Sequence, residues 1–178
     1  EGGKVVTWGH AKCGGESLSV ADELKSGVTA VFNAYYAFAA LKEGGKVVTW
    51  GGAERCGDSL SVADELKSGV TAVFNTDDAF AALKEGGKVV AWGHTVSGGD
   101  AQSVADELKN GVTNVFSTRH AFAALKDCWS DGHLSKLNLK QLKEKVDRLS
   151  QDGHCKRIGQ NTDKATWIAA IREFHLLA

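Results

Sequence analysis

The chain has 178 residues, 43% of them hydrophobic, and a formal net charge of −1. That length fits one or two domains, and that apolar content supports a packed core rather than a disordered chain. A charge near zero argues against nucleic-acid binding driven by bulk charge, and no apolar run reaches the roughly 18 residues of a membrane-spanning helix. Pro and Met are absent while Gly numbers 21, so glycine supplies the turns. The missing start residue points to a processed or truncated product, and no signal peptide stands at the beginning. Cys13, Cys56, Cys128 and Cys155 form no C-x-x-C. They read as free thiols of a reducing intracellular compartment, with an organelle left open.

Residues 1–42, 43–84 and 85–126 align without a gap. The first two agree at 34 of 42 positions, the second and third at 29 of 42. A repeat of this length means stacked supersecondary units. The chain opens on a strand pattern, Lys4–Trp8. "SLSVADELKSG" (17–27) predicts about two helical turns, with Ser19 and Asp22 at the start and Gly27 as the stop. "VTAVFN" (28–33) predicts a strand with Val28, Ala30 and Phe32 on one face. "AFAALK" (37–42) alternates Phe38 and Ala40 against Ala37, Ala39 and Leu41. Glu43-Gly44-Gly45 is a tight turn, and "KVVTW" (46–50) is a strand by composition. Each unit is therefore a three-stranded antiparallel meander. Trp8, Trp50 and Trp92, with Phe32, Phe38 and their equivalents, are the predicted core. One such sheet cannot bury both faces, whereas stacked copies can.

"VVTWG", the Gly-rich loop after it, "GV-x-x-V" and "AFAALK" recur in step. This set resembles the chromosome-condensation-regulator-like repeats, in the short three-stranded-blade form common in algae and protists. The resemblance implies propeller blades over residues 1–126. The expected fold class is mainly β with α, an incomplete propeller of three blades plus a C-terminal two-helix segment. Propellers usually carry 4–8 blades. Here a third strand, Lys4–Trp8, stands first without its hairpin, and a hairpin, Val112–Lys126, stands last without its third strand. Unpaired edges are adhesive, so a protein partner or a second copy is expected to complete them.

The repeats differ mainly in two loops. One follows the Trp-Gly: "HAKCGGE", "GAERCGD" and "HTVSGGD". The other joins the first two strands: "AYY", "TDD" and "TRH". Up-down-up topology brings both to one rim. The candidate binding residues there are His10, Lys12, Tyr35, Tyr36, Arg55, Asp77, Asp78, His94, Arg119 and His120. Loops on a rigid scaffold often carry binding, although unconstrained loops also drift.

After residue 126 the pattern changes. The segment 127–178 holds 9 basic and 7 acidic residues, against 12 and 15 before it. Leu139, Leu142, Val146 and Leu149 recur at helical spacing, as do Trp167, Ile168, Ile171 and Phe174. This helix–loop–helix pattern is similar to the SAP module, which implies contact with DNA. Lys140, Lys143, Lys145, Arg148, Lys156 and Arg157 are the candidate phosphate contacts. A two-helix cap on the last blade is the plainer reading.

No catalytic site, cofactor or metal is expected. Gly57-Asp58-Ser59-Leu60 spells a hydrolase signature, but its sister loops read "GESL" and "GDAQ" and no partner Asp-x-x-His follows. Cys128, His133, His154 and Cys155 have zinc-ligand chemistry at irregular spacing. The Gly-Gly pairs are turns, not phosphate loops. Three functions fit: a non-enzymatic protein-interaction or scaffolding module, a peripheral subunit of a large organellar assembly (such as a photosynthetic membrane complex), and nucleic-acid binding through the tail.

Overall fold

A computed structural model describes residues 2–52, 57–126, 140 and 141. Residues Glu1–Lys126 form one structural unit and Asp127–Ala178 another. The described part is mainly β. Strands β1 (Val28–Asn33), β2 (Ala37–Lys42) and β3 (Val47–Gly51) make the first sheet. Strands β4 (Val70–Asn75), β5 (Ala79–Lys84) and β6 (Val89–Gly93) make the second, and β7 (Val112–Ser117) and β8 (Phe122–Lys126) the third. All pairs are antiparallel and join strands adjacent in sequence. The first two strands begin and end where the alternation placed them. The third starts one residue later, at Val47 and Val89, and β8 starts at Phe122 rather than Ala121.

Local chemistry accounts for the meander. Val, Thr and Phe on β1 favour the extended chain. A bulge interrupts its pairing between Val28 and Ala30, and Thr29 Oγ1 donates across it to the Leu41 carbonyl at 3.1 Å. Thr71 and Thr113 repeat the bond. Gly44 (φ 77°) and Gly45 (φ 75°) turn β2 into β3. A Cβ on Gly45 would stand 2.6 Å from the Val70 nitrogen, so this corner also admits the next unit's backbone.

The sheets stack through unlike faces. Ala37, Ala39 and Val47 of the first sheet face Val73, Phe80, Ala82 and Trp92 of the second in one buried cluster, with Phe32 and Leu41 packed beside it. Ala81, Leu83, Val112 and Val115 make the matching core between second and third. Small residues on one face thus receive the aromatic pair of the next. Phe80 and Trp92 stack with ring centroids 5.4 Å apart, and Phe38 and Trp50 do the same at 5.3 Å.

Three expectations need correction. The stretch 17–27 is not two helical turns but a 3-10 turn, Leu18–Val20, followed by further turns, and no side chain caps it. Its carbonyls serve other segments: Leu24 O accepts from Val5 N and Gly27 O from Glu43 N. Lys4–Trp8 is extended but is not a paired strand; its neighbour Gly3 makes a single bridge to Val28. Trp8, predicted as core, is 84% exposed, against 4% for Trp50 in an identical nonapeptide. The hairpin that covers Trp50 has no counterpart over Trp8 among the described residues. Phe116 is likewise more than half exposed, because among the described residues no third strand or further sheet covers that end.

A clamp repeats at the hairpin end. Glu23 accepts from Lys46 Nζ at 2.6 Å and from Lys42 at 3.4 Å; Glu65 accepts from Lys88 at 2.5 Å and Lys84 at 3.2 Å. Glu107 meets Lys126 at 2.8 Å. The hydrogen bond from Lys46 holds the Glu23 carboxyl below its ordinary 4.5 against a smaller opposing effect of burial, with Lys42 adding less; hydrogen bonds from Lys88 and then Lys84 do the same for Glu65. Among the described residues no helix is long and apolar enough to cross a membrane. The expected tail helices lie outside the described residues, apart from Lys140 and Gln141, which are helical and exposed.

Two outcomes follow for stability. Phe80→Ala should cost about 3–5 kcal/mol in urea unfolding, whereas Phe116→Ala should cost under about 1 kcal/mol. Because folding lowers the Glu23 and Glu65 pKa, their contribution is complete above 4.5 and is lost as pH falls through the lower folded value. Stability measured from about pH 6 to about pH 3 should therefore fall, and Glu65→Gln should make that fall shallower.

Candidate functional site

The two variable loops do meet on one rim. The first two strands of each unit close on a short turn, with Ala34 N bonded to Ala37 O, Thr76 N to Ala79 O and Thr118 N to Ala121 O. Successive turns are then bonded to each other. Tyr35 N donates to Asp77 O at 2.7 Å, and Asp77 N donates to Arg119 O at 2.9 Å. Backbones joined in this way lie about 5 Å apart, as in neighbouring strands. Tyr35, Asp77 and Arg119 consequently form one column across the three units. Gapless repeat register was the only signal for it in the sequence.

The loops after the Trp-Gly join this column from the side. Gly52 N donates to Tyr36 O at 2.8 Å and His94 N to Asp78 O at 2.9 Å. The first and third of these loops are tight turns: His10 O accepts from Cys13 N and Gly15 N, as His94 O accepts from Ser97 N and Gly99 N. Thr76 ties the two loop sets together, with its buried hydroxyl 3.0 Å from the Ser97 carbonyl. Lys12 O lies 3.1 Å from where a Cβ on Gly52 would stand, so the first loop abuts the second.

Tyr35, Tyr36, Asp77, Asp78, His94, Arg119 and Lys12 are thus gathered along one rim. The Tyr35 and Tyr36 rings are 4.8 Å apart and tilted by 55°. Arg119, His120, His10 and Lys12 are exposed. His120 sits at the turn tip, its nitrogen 3.4 Å from Thr118 Oγ1. His10 has no turn of a preceding unit beside it among the described residues. Arg55 lies outside the described residues, as do Lys143, Lys145, Arg148, Lys156 and Arg157 of the tail; Lys140 is exposed. Along the stack the rim runs aromatic, acidic, then basic.

Asp58, Ser59 and Asp100 make local structural bonds, while Cys128, His133, His154 and Cys155 lie outside the described residues. Asp58 Oδ1 accepts from Leu60 N at 2.8 Å, and Ser59 Oγ bonds Thr49 Oγ1 at 2.9 Å, so the hydrolase-like tetrapeptide is a turn. Asp100 repeats the Asp58 bond to Gln102 N. Among the described residues no three of His, Cys, Asp and Glu converge to hold a metal. Cys13 is a free thiol; Cys56, Cys128 and Cys155 lie outside the described residues.

A second feature escaped the sequence reading. Gly14 is a seat for Trp50: its carbonyl accepts from Trp50 Nε1 at 3.0 Å, and a Cβ there would stand 2.5 Å from the Phe38 ring. Gly98 repeats the conformation against Phe122. The only sequence signal was glycine at the same repeat position in the first and third units. No protein-family model matches the chain, and no curated protein matches it.

Proposed function

We propose that the three units are propeller-type blades of a non-enzymatic interaction or scaffolding module, which holds a protein partner along the variable rim. The observation that carries this reading is the backbone ladder through Tyr35, Asp77 and Arg119. The ladder uses main-chain groups alone, so the side chains on it are free to differ without cost to the fold. Tyr and Arg are frequent anchors at interfaces, and loops on a rigid frame are where such anchors are usually held. The fitting partner surface presents an apolar patch, then basic, then acidic groups, matched to Tyr35 and Tyr36, to Asp77 and Asp78, and to Arg119 and His120. Charge arranged in this order sets orientation and encounter rate more than raw affinity.

The exposed apolar margins at Trp8, Phe116 and Leu125 favour a second reading, a peripheral subunit packed among others in a large assembly. Native mass after mild purification separates the two, since the first needs no resident complex.

A photo-reactive side chain placed at position 35, and at Gly44 on the opposite end as control, tests the rim. Position 35 should give a discrete crosslinked adduct in native extract and position 44 none. Asp77→Lys and Arg119→Glu should each lower its yield about tenfold while leaving the far-ultraviolet circular dichroism unchanged. Equal adducts from both positions, or indifference to both charge reversals, overturns the proposal.

A further inference from the structure

The third sheet contains a seat for one more strand. β8 is its outer strand, and Ala123, Ala124 and Leu125 are exposed there. At the same positions Ala39, Ala40, Ala81 and Ala82 are at most 1% exposed, because β3 and β6 cover them. Between β6 and β8 lies a cavity of about 360 Å³, lined by Val89, Ala91, Val115, Phe122 and Ala124, with Gly98 at its edge. The first unit shows what fills such a seat. It is a Val-Val-x-Trp-Gly strand whose Trp stacks on the Phe of the middle strand and donates to the glycine carbonyl.

At Lys4–Trp8 that sequence stands without a hairpin beside it among the described residues. Among the described residues Lys4–Trp8 is held by Val5 N to Leu24 O, as Val47 N is to Leu66 O and Val89 N to Leu108 O, and by Thr7 Oγ1 to Ser17 Oγ. Among the described residues its other side is uncovered, with Val6 67% and Trp8 84% exposed. Trp50, Thr49, Val48 and Val47 stand opposite Phe38, Ala39, Ala40 and Leu41. The same register sets Trp8 opposite Phe122, Thr7 opposite Ala123, Val6 opposite Ala124 and Val5 opposite Leu125. The two exposed residues, Trp8 and Val6, are therefore the two that enter the cavity.

We propose that residues 4–8 of a second copy occupy this seat, joining two chains head to tail. The opposing surfaces match as well. Val31, 46% exposed, and Phe38 line a cavity of about 320 Å³ beside Trp8. Phe116 and Leu125 are each 55% exposed. Their counterparts Phe32 and Leu41 pack against the cluster that holds Val73 and Phe80, the counterparts of Val31 and Phe38. The contact between copies is thus the contact between units, made once more. Lys4–Trp8 and β8 lie at opposite ends of the stack, so the seat is filled by another chain. Two copies joined at both ends close into a ring of six sheets, within the usual four to eight of propellers, and closure ends growth. The inference rests on repeat register and not on the rim, so either can fail alone.

Light scattering on the full chain over a dilution series tests it. The expected mass is twice the 18.9 kDa of one chain. Trp8→Asp and Ala124→Asp should each weaken the dimer by about 30-fold or more. Both positions are exposed in the single chain, so its circular dichroism should not change. Mixing the two variants should restore a dimer, because one head and one tail remain intact. A monomer at every concentration overturns the proposal. So does a dimer that survives both substitutions, or two folded variants that fail to complement.

Discussion

One contact governs this molecule: the Phe–Trp face of a sheet resting on the Ala–Val face of the sheet before it. Neither face is stable alone, since one exposes two aromatic rings and the other is a shallow apolar floor. Alanine at Ala37 and Ala39 matters through what it lacks. The small side chains let Phe80 and Trp92 come close enough to be almost fully buried. Larger residues there would hold the sheets apart and open voids that cost contact energy. The stack is therefore directional, with an aromatic end at Phe38 and Trp50 and a small-residue end at β8.

Directionality explains what could and could not be read from the sequence. β1 and β2 were legible to the residue because their alternation is local and the glycine turn between β2 and β3 is unambiguous. Burial was not. The nonapeptide at residues 1–9 is identical to that at 43–51, yet Trp8 is exposed and Trp50 is buried. The difference is a hairpin, which lies beside one copy and has no counterpart beside the other among the described residues. The 17–27 segment was not legible either. Its spacing suits a helix, and Leu24, Leu66 and Leu108 offer their carbonyls to Val5, Val47 and Val89. Those carbonyls fall in the last turn, where a helix has no internal partner for them, so the bonds fix where the segment docks and do not themselves forbid a helix. The rim was legible as a set of variable loops. The ladder that orders it was not, because it consists of backbone bonds between residues 42 apart.

The copies also show how the repeat tolerates change. Thr7 bonds Ser17 and Thr49 bonds Ser59, each at 2.9 Å. In the third unit both positions are alanine, Ala91 and Ala101. Losing one hydroxyl would strand the other in a half-buried site, whereas losing both together is close to neutral. The paired replacement leaves an apolar floor under the seat beside β8, with Ala91 and Ala101 among its lining residues.

The same logic accounts for where the three units are allowed to differ. At the hairpin end the backbone of one unit touches the next: Gly45 has no room for a Cβ beside Val70, and Gly87 none beside Val112. The Glu–Lys clamp adds side-chain partners there. Gly45 and Gly87 have no room for a side chain, and Lys42, Lys46, Lys84 and Lys88 have glutamate partners, so these positions keep the same residues in the first two hairpins. At the opposite rim the units are joined through N–H and C=O groups, which every residue except proline supplies equally. A change from Tyr35 to Asp77 to Arg119 alters the surface and leaves those bonds in place. Variability at one end and constancy at the other is thus a consequence of which atoms make the joint. It makes the rim the part of this fold that can be shaped to a partner without disturbing the stack beneath it.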